Sequence, residues 1–345
     1  MHMLTLGKTG MIVCKNGFGA LPIQRVRTDD AVGILNKALA GGINFFDTAR
    51  FYTDSEAKLA AAFKGRRNLI YLASKTMAQT PKDFWQDLET TLKELSTDYV
   101  DLYQFHNPGF CPKPGDESGL YDAMLKARDE GKIRFIGMTN HRFSVAKEAV
   151  LSGLYATLQY PFSYLADDRD ISLVHLAKKH KIGFLAMKAL AGGLINNSAA
   201  AYAYLNQFEH VLPLWGIKTE QELDEFISYQ THPPVLNDAL NRLIAADTKR
   251  LKSNFCRGCA YCMPCPAGIE IFNCARMSLL VRRAPVALYT TEEFISKMAQ
   301  INKCTNCQKC AERCPYKLNT PDLLKANYQD YQKVLAGIID DEFGL

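Results

Sequence analysis

Before about residue 235 the chain repeats one alternation, a short run of apolar, β-branched or aromatic residues followed by a longer amphipathic stretch. The runs are GFGA (17–20), INFFDT (43–48), LIYLASKT (69–76), VDLYQFH (100–106), RFIGMTN (134–140), ATLQYPF (156–162), IGFLAMKAL (182–190) and VLPLWGI (211–217). Between them, stretches such as DDAVGILNKALAGG, PKDFWQDLETTLKELS and TEQELDEFISY set apolar residues three and four apart, the period of a helix with one buried face. Eight strands alternating with helices over about 220 residues predict an α/β fold, a (β/α)8 TIM barrel. An open doubly wound sheet is the rival. It more often announces a GxGxxG turn after its first strand, and GFGALP lacks that spacing. The opening LTLGKTGMIVCK reads as a β-hairpin turning at Gly7 to Gly10, which could cap the barrel floor.

A barrel confines its chemistry to the C-terminal ends of its strands and the loops that follow. Asp47 lies at the end of the second run with Tyr52 after it, Lys75 at the end of the third and His106 at the end of the fourth. Thr139 and Asn140 end the fifth run, Gln159 lies in the sixth and Lys188 in the seventh. Polar groups inside apolar runs are costly to bury unless they are paired or used. Singly, each has an ordinary explanation: Asp47 a turn cap, Tyr52 rim packing, Lys75 a strand-end surface charge, His106 a satisfied core histidine. The loop HNPGFCPKPGDESG shapes a rim. Phe51, Trp215, Tyr160 and Phe162 either line that mouth or fill the barrel and its helix interface.

The second constraint is cysteine spacing. Of 11 cysteines, eight fall between Cys256 and Cys314 in two runs, CRGCAYCMPCP and CTNCQKCAERCP. Cys304, Cys307, Cys310 and Cys314, followed by Pro315, have the CxxCxxCxxxCP spacing in which three thiolates wrap one cubane and the fourth ligates its neighbour. On that rule Cys256, Cys259, Cys262 and Cys314 hold one 4Fe–4S cluster, and Cys304, Cys307, Cys310 and Cys265 hold the other. Cys265 follows Cys262 after two residues rather than three, so Cys274 is the reserve ligand. Disulfides would need an oxidising compartment. MHMLTLGKTG has no charged-then-apolar signal pattern, so the expected location is cytoplasmic. A zinc ribbon takes two cysteines per knuckle, not three with a trailing Cys-Pro. Cys14, Cys111 and Cys274 otherwise read as small buried apolar residues.

At 345 residues, 48% hydrophobic and 22% charged, the chain can bury a full core and carry a smaller appendage. Its richest apolar stretch, KIGFLAMKALAGGL, is interrupted by Lys188 and glycines and does not reach spanning length. The net charge of +5 is spread among interspersed acids and bases, so neither a membrane nor nucleic acid is expected as a partner. No feature sets an oligomeric state.

The first 220 or so residues resemble the aldo-keto reductases, through GGINFFDTARFYTDSE (41–56), ASKT (73–76), DLYQFHN (101–107), GKIRFIGMTNH (131–141) and LQYPFSYL (158–165). The cysteine-rich tail resembles that of a subset in which the barrel precedes a smaller, mostly α-helical ferredoxin-like domain, often with GYCMPCP; here the string is AYCMPCP. The resemblance implies a catalytic tetrad of Asp47, Tyr52, Lys75 and His106 acting on a small carbonyl or alcohol, with hydride from a nicotinamide. It implies that Asn140 and Gln159 bond the carboxamide, with Thr139 where serine is common. The AGG loop with Gly192 and Gly193 approaches the pyrophosphate, and Lys218 and Thr219 sit where a 2′-phosphate is gripped, which favours NADPH over NADH. Met187, beside Lys188 and Leu190, replaces the tyrosine that stacks on the ring in many relatives. Phe226 stands where an asparagine often meets adenine.

The chemistry follows from the residues as well. Hydride addition leaves negative charge on oxygen, so a proton donor in hydrogen-bond reach lowers the barrier. A free tyrosine titrates near about 10 and needs a neighbouring cation to become a better acid; Lys75 is that cation and Asp47 its counter-charge. The boundary falls between Thr231 and Phe255, giving a barrel over 1–235, a helical linker over 236–253 and an iron–sulfur domain over 254–345. Helices are expected over ARMSLLVRR, over TTEEFISKMAQ with Thr290 or Thr291 as cap, and over TPDLLKANYQDYQKVLAGIID. A nicotinamide moves two electrons together whereas a cluster takes one, and no flavin signature bridges them. The clusters therefore exchange electrons with a ferredoxin-type partner, feed a substrate at the barrel, or stabilise the tail. A carbonyl–alcohol oxidoreductase and an electron-transfer or docking protein whose barrel binds nicotinamide without turnover both remain open.

Overall fold

The computed structural model describes residues 2–251, 255–283 and 286–338. Contacts divide the chain into one unit of Met1–Leu190 with Asn197–Leu240 and a second of Ala191–Asn196 with Asn241–Leu345.

In the first unit, strands β1 (Met3–Thr5) and β2 (Ile12–Cys14) pair antiparallel, joined by a turn in which Leu6 N–H donates to Met11 O. Eight further strands follow: β3 (Gly17–Gly19), β4 (Phe45–Asp47), β5 (Tyr71–Thr76), β6 (Val100–His106), β7 (Ile133–Thr139), β8 (Thr157–Pro161), β9 (Gly183–Met187) and β10 (Val211–Gly216). They pair in parallel and in chain order, β10 closing on β3, as a barrel. Each lies within one of the eight apolar runs or within a residue of it. Helices α1 (Thr28–Ala40), α2 (Ser55–Phe63), α3 (Pro81–Glu94), α4 (Leu120–Asp129), α5 (Phe143–Ser152), α6 (Asp168–Lys179), α7 (Ser198–Asn206) and α8 (Glu220–Thr231) alternate with the strands. Side-chain caps start several of them: Thr80 on α3, Asp167 with Asp170 on α6, Asn197 on α7 and Thr219 with Glu222 on α8.

The hairpin closes the barrel floor. Leu4, Leu6, Met11 and Val13 share one buried cluster with Phe45, Ala73, Leu102, Leu185, Leu212 and Leu214. Each of the larger side chains contributes about 1.5–3 kcal/mol through burial. Gly7, at φ +55°, lies so close to the start of β9 that a Cβ there would stand 2.2 Å from Gly183 N, and only glycine fits. Higher up, Gln104 pairs with both Lys75 and Gly137, and Gly137 with Thr157. A Cβ on Gly137 would reach 2.6 Å from Thr157 Oγ1 and 2.8 Å from Gln104 Cγ, so this glycine makes room for the polar layer above the floor.

Three of the aromatics considered for the mouth pack elsewhere. Trp215 stacks on Phe226 with centroids 4.4 Å apart, and its Nε1–H donates to Asn16 Oδ1. Tyr160 donates its hydroxyl to Asp170 of α6 at 2.8 Å, and Phe162 packs against Phe184, Tyr204 and Phe208. Strands of a parallel barrel are buried on both faces, so apolarity does not tell inward from outward residues. Phe51 is 68% exposed.

The second unit is helical. After α9 (Asp238–Arg250) come α10 (Ile271–Cys274), α11 (Met277–Arg283), α12 (Glu292–Ala299), α13 (Lys309–Glu312) and α14 (Thr320–Leu335). Thr291 caps α12, accepting from Phe294 N. Its core gathers Ile269, Ile271, Met277, Met298, Ile301, Leu324, Tyr331 and Val334 around the cysteine loops. Arg282 grips Asp330 with two hydrogen bonds of 2.6 and 2.8 Å, tying α11 to α14. The expected last helix ends at Leu335; Ile339 and Asp340, like Lys252 and Ser253 of the expected linker, lie outside the described residues. Among the described residues no helix is long and apolar enough to cross a membrane.

Candidate functional site

At the C-terminal end of the barrel strands, β4 ends in Asp47 and β5 carries Lys75 beside it. Lys75 Nζ donates to Asp47 Oδ1 at 2.7 Å and Oδ2 at 2.8 Å, and to the Thr48 carbonyl. Both side chains are buried, Lys75 completely. Burial lowers the Lys75 pKa and raises that of Asp47, and each charge opposes the shift of the other. Two amides complete the carboxylate's shell: Gln159 Nε2 donates to Oδ2 at 3.0 Å and Gln104 Nε2 approaches Oδ1 at 3.4 Å.

Tyr52 stands on the loop after β4. Its ring lies 5.3 Å from Lys75 Nζ and meets the His106 ring edge-on at 5.9 Å between centroids. The loop is fixed by Tyr52 N–H to Ala49 O, Ser55 N–H to Tyr52 O and Arg50 N–H to Lys75 O. His106 ends β6, and burial, assisted by the Lys75 charge, pushes its pKa down to about 3. Its imidazole is therefore neutral near pH 7. Asp47, Tyr52, Lys75 and His106 thus form one cluster at one end of the barrel.

Two further residues, Gln104 and Glu56, brace this neighbourhood. Gln104 donates to Gln159 Oε1 at 2.7 Å and accepts from Thr139 Oγ1 at 3.2 Å, joining β6, β7 and β8. Its signal was the two-residue period Leu102, Gln104, His106, which sets all three on one face. Glu56 of α2 is 1% exposed, accepts from Ser74 Oγ at 2.7 Å and Thr91 Oγ1 at 2.9 Å, and pairs with Arg50. Burial raises its pKa. Alternation puts Ser74 on the face of β5 opposite Lys75, so Glu56 braces the strand from the helix side.

The residues expected to meet a nicotinamide fit it in part. Asn140 donates from Nδ2 to Pro108 O and accepts from Arg142 N, leaving one amide hydrogen. Gln159 Oε1 already accepts from Gln104 and shares the one Thr139 hydroxyl hydrogen with Gln104 Oε1, while its Nε2 keeps a second amide hydrogen for a ligand. Met187 and Lys188 are half-buried, as is Leu190, and Gly193 at φ +92° has open space where a side chain would stand. Lys218 and Thr219 are exposed, and both backbone amides donate to Glu222, at 2.8 and 3.2 Å.

In the second unit, two cavities sort the cysteines. One is lined by Cys256, Cys259, Cys262 and Cys314. The other is lined by Cys265, Cys304, Cys307 and Cys310, with Cys262 at its edge. Electrostatics divide them the same way: burial raises the Cys262 pKa, reinforced by Cys256, Cys259 and Cys314, while Cys304 and Cys265 add to the rise at half-buried Cys310. Among the described residues no three His, Cys, Asp or Glu side chains form a group closed on one metal ion; the thiols line the two cavities. Four thiols gathered around one cavity are suited to a polynuclear cationic core, which offsets their charge once they are deprotonated. Cys274 lines neither cavity; its Sγ meets Lys297 O and burial pushes its pKa up to about 12. The cavities differ in depth, because Cys256 and Cys262 are buried whereas Cys307 is exposed.

Residues 15–230 match the aldo/keto reductase family model, and the chain belongs to that family; residues 255–319 match the model of a 4Fe-4S dicluster domain. Among curated relatives, the uncharacterized oxidoreductase YqkF of Bacillus subtilis is 30% identical over 209 residues, 56% of this chain and 67% of its own length. The L-galactose dehydrogenase of Arabidopsis thaliana is 30% identical over 214 residues, again 56% and 67%. The match thus spans about two thirds of these relatives. Among solved structures, an aldo-keto reductase from Bacillus halodurans in its holo form superposes with a TM-score of 0.62 at 21% identity, over 72% of this chain and 96% of that one, which shows the shared fold.

Proposed function

We infer that this family oxidoreductase interconverts a small carbonyl and its alcohol with NADPH, and that its C-terminal domain carries two 4Fe–4S clusters. The observation that carries the reading is the closed contact of Lys75 with Asp47 while Lys75 Nζ lies 5.3 Å from the Tyr52 ring and His106 meets that ring edge-on. The nicotinamide supplies the hydride. Tyr52 donates its hydroxyl proton to the carbonyl oxygen as negative charge develops there, and as tyrosinate takes a proton back when an alcohol is oxidised. Lys75 favours the tyrosinate form, and Asp47 keeps the lysine charged against its own burial. Neutral His106 orients the carbonyl by a ring N–H. Asn140 and Gln159 each retain one amide hydrogen for the carboxamide; Thr139, Met187, Lys188 and Leu190 flank it. Gly192 and Gly193 offer backbone to the pyrophosphate, and Lys218 and Thr219 receive the 2′-phosphate once Glu222 gives up their amides.

Cys256, Cys259, Cys262 and Cys314 hold one cluster, and Cys265, Cys304, Cys307 and Cys310 the other, each a one-electron carrier. The exposure of Cys307, with Lys303, Lys309 and Lys317 exposed around its loop, supports a second role, exchange of electrons with an acidic ferredoxin-type partner. The test of the first reading is Tyr52→Phe, assayed with NADPH and 4-nitrobenzaldehyde and in reverse with NADP+ and L-galactose, the latter chosen from the plant relative's name. Turnover should fall roughly 10²–10⁴-fold with NADPH binding retained. Undiminished turnover would exclude Tyr52 as the proton donor.

A further inference from the structure

Arg276 is among the most deeply placed charges of the second unit. It lies between α10 and α11, is 8% exposed, and donates from Nη2 to the Gly192 carbonyl at 2.6 Å. Its guanidinium rests on the first cysteine loop. A Cβ on Gly258, at φ +59°, would fall 2.2 Å from Nη1 and 3.2 Å from Cζ, so the CRGC loop accepts the guanidinium because residue 258 is glycine. Nε is buried and has no hydrogen-bond partner among the described residues. Nor does any carboxylate among the described residues pair with this side chain; Cys256 and Cys259 are among the groups whose charge favours its protonated form, against a burial that lowers its pKa. A buried guanidinium without a carboxylate is costly unless another anion compensates it.

We propose that Arg276 is the fixed counter-charge of the cluster held by Cys256, Cys259, Cys262 and Cys314, and that it raises the reduction potential of that cluster alone. This rests on the reading that the cavity holds a 4Fe–4S cluster. One added electron makes such a cluster one unit more negative, so a nearby cation stabilises the reduced form more than the oxidised one and shifts the potential upward. The effect is large where water is excluded, and it persists across pH because a guanidinium keeps its proton. Nε–H is a remaining donor for a cluster or thiolate sulfur, and the Gly192 carbonyl holds the group in place. At the other cavity Cys307 is exposed and its neighbouring charge is that of exposed Lys309, which water screens. The two clusters therefore differ in potential by virtue of one side chain.

The test is a redox titration of anaerobically purified full-length protein, followed by electron paramagnetic resonance, for wild type, Arg276→Gln and Arg276→Lys, with iron and zinc counted in each. In Arg276→Gln one of two midpoints should fall by at least a tenfold change in the reduced-to-oxidised ratio, 59 mV for one electron, while the other stays. Arg276→Lys should stay near wild type. Unchanged midpoints in an iron-replete Arg276→Gln, or equal shifts of both, would overturn the proposal. Independently of how the variants fold, reduced wild-type protein labelled with ¹⁵N-arginine should show hyperfine coupling of one arginine to a cluster, absent from Arg276→Lys; no coupling in wild type overturns the proposal. Zinc in place of iron would instead overturn the cluster reading beneath it.

Discussion

Holding His106 neutral costs the barrel stability in acid. Its pKa is about 3 in the folded chain against 6.5 when exposed. Above pH 6.5 both states bind no proton at this ring and its contribution is fully present. As pH falls from 6.5 toward 3 the unfolded chain gains a proton that the folded one refuses, and stability is lost. At pH 5 the loss is 1.5 pH units at 1.36 kcal/mol each, about 2 kcal/mol. The assay is urea unfolding followed by tryptophan fluorescence, since the two tryptophans, Trp85 and Trp215, both lie in the barrel. Wild type and His106→Gln are compared at pH 8 and pH 5. Buried Asp47 and Glu56 titrate in both proteins, so the difference between their pH responses isolates the imidazole. The variant should lose about 2 kcal/mol less than wild type on acidification. Identical losses would refute the burial argument, and with it the neutral hydrogen-bonding role given to His106.

Two further outcomes follow from the geometry. Cys265→Ser should lose about half of the iron, whereas Cys274→Ser should keep all of it, because Cys265 lines a cavity and Cys274 lines neither; iron counted per chain decides. Glu222→Gln keeps the capping box but frees the Lys218 and Thr219 amides from a negative charge, so the KM for NADPH should fall severalfold while that for NADH holds, and an unchanged ratio would place the 2′-phosphate elsewhere.

Much of the barrel was legible because its strands are short apolar runs with helices of strong periodicity between them; VDLYQFH is β6 residue for residue. Asp47, Lys75 and His106 were legible as polar residues near the ends of apolar runs, and Tyr52 as part of the loop after the second run. Gln104 shares the face of His106 by the two-residue period of the strand, but its bonds to Gln159 and Thr139 appear only once β6, β7 and β8 stand side by side. Ambiguity of face sent Trp215, Tyr160 and Phe162 to the mouth in one reading, when their partners lie among the helices and the outer strand faces. Cysteine spacing anticipated which thiols line each cavity, Cys314 with the first run and Cys265 with the second, because the rule that each run lends its fourth cysteine to the other needs no knowledge of the fold between them. Arg276 was invisible: its meaning comes from Gly192 and Gly258, and Gly192 is 84 residues distant in the chain. The grouping of Ala191–Asn196 with the C-terminal residues is likewise a tertiary fact that no local pattern carries.

The most direct test of the central claim follows the hydride itself. NADPH deuterated at both C4 positions is given to anaerobic protein with 4-nitrobenzaldehyde, and the product is examined by mass spectrometry while the visible cluster bands are recorded. Wild type should form an alcohol with one deuterium at the carbinol carbon, and Tyr52→Phe should largely lose it. Cluster bleaching without deuterated product, or deuterium transfer undiminished in Tyr52→Phe, would contradict the claim.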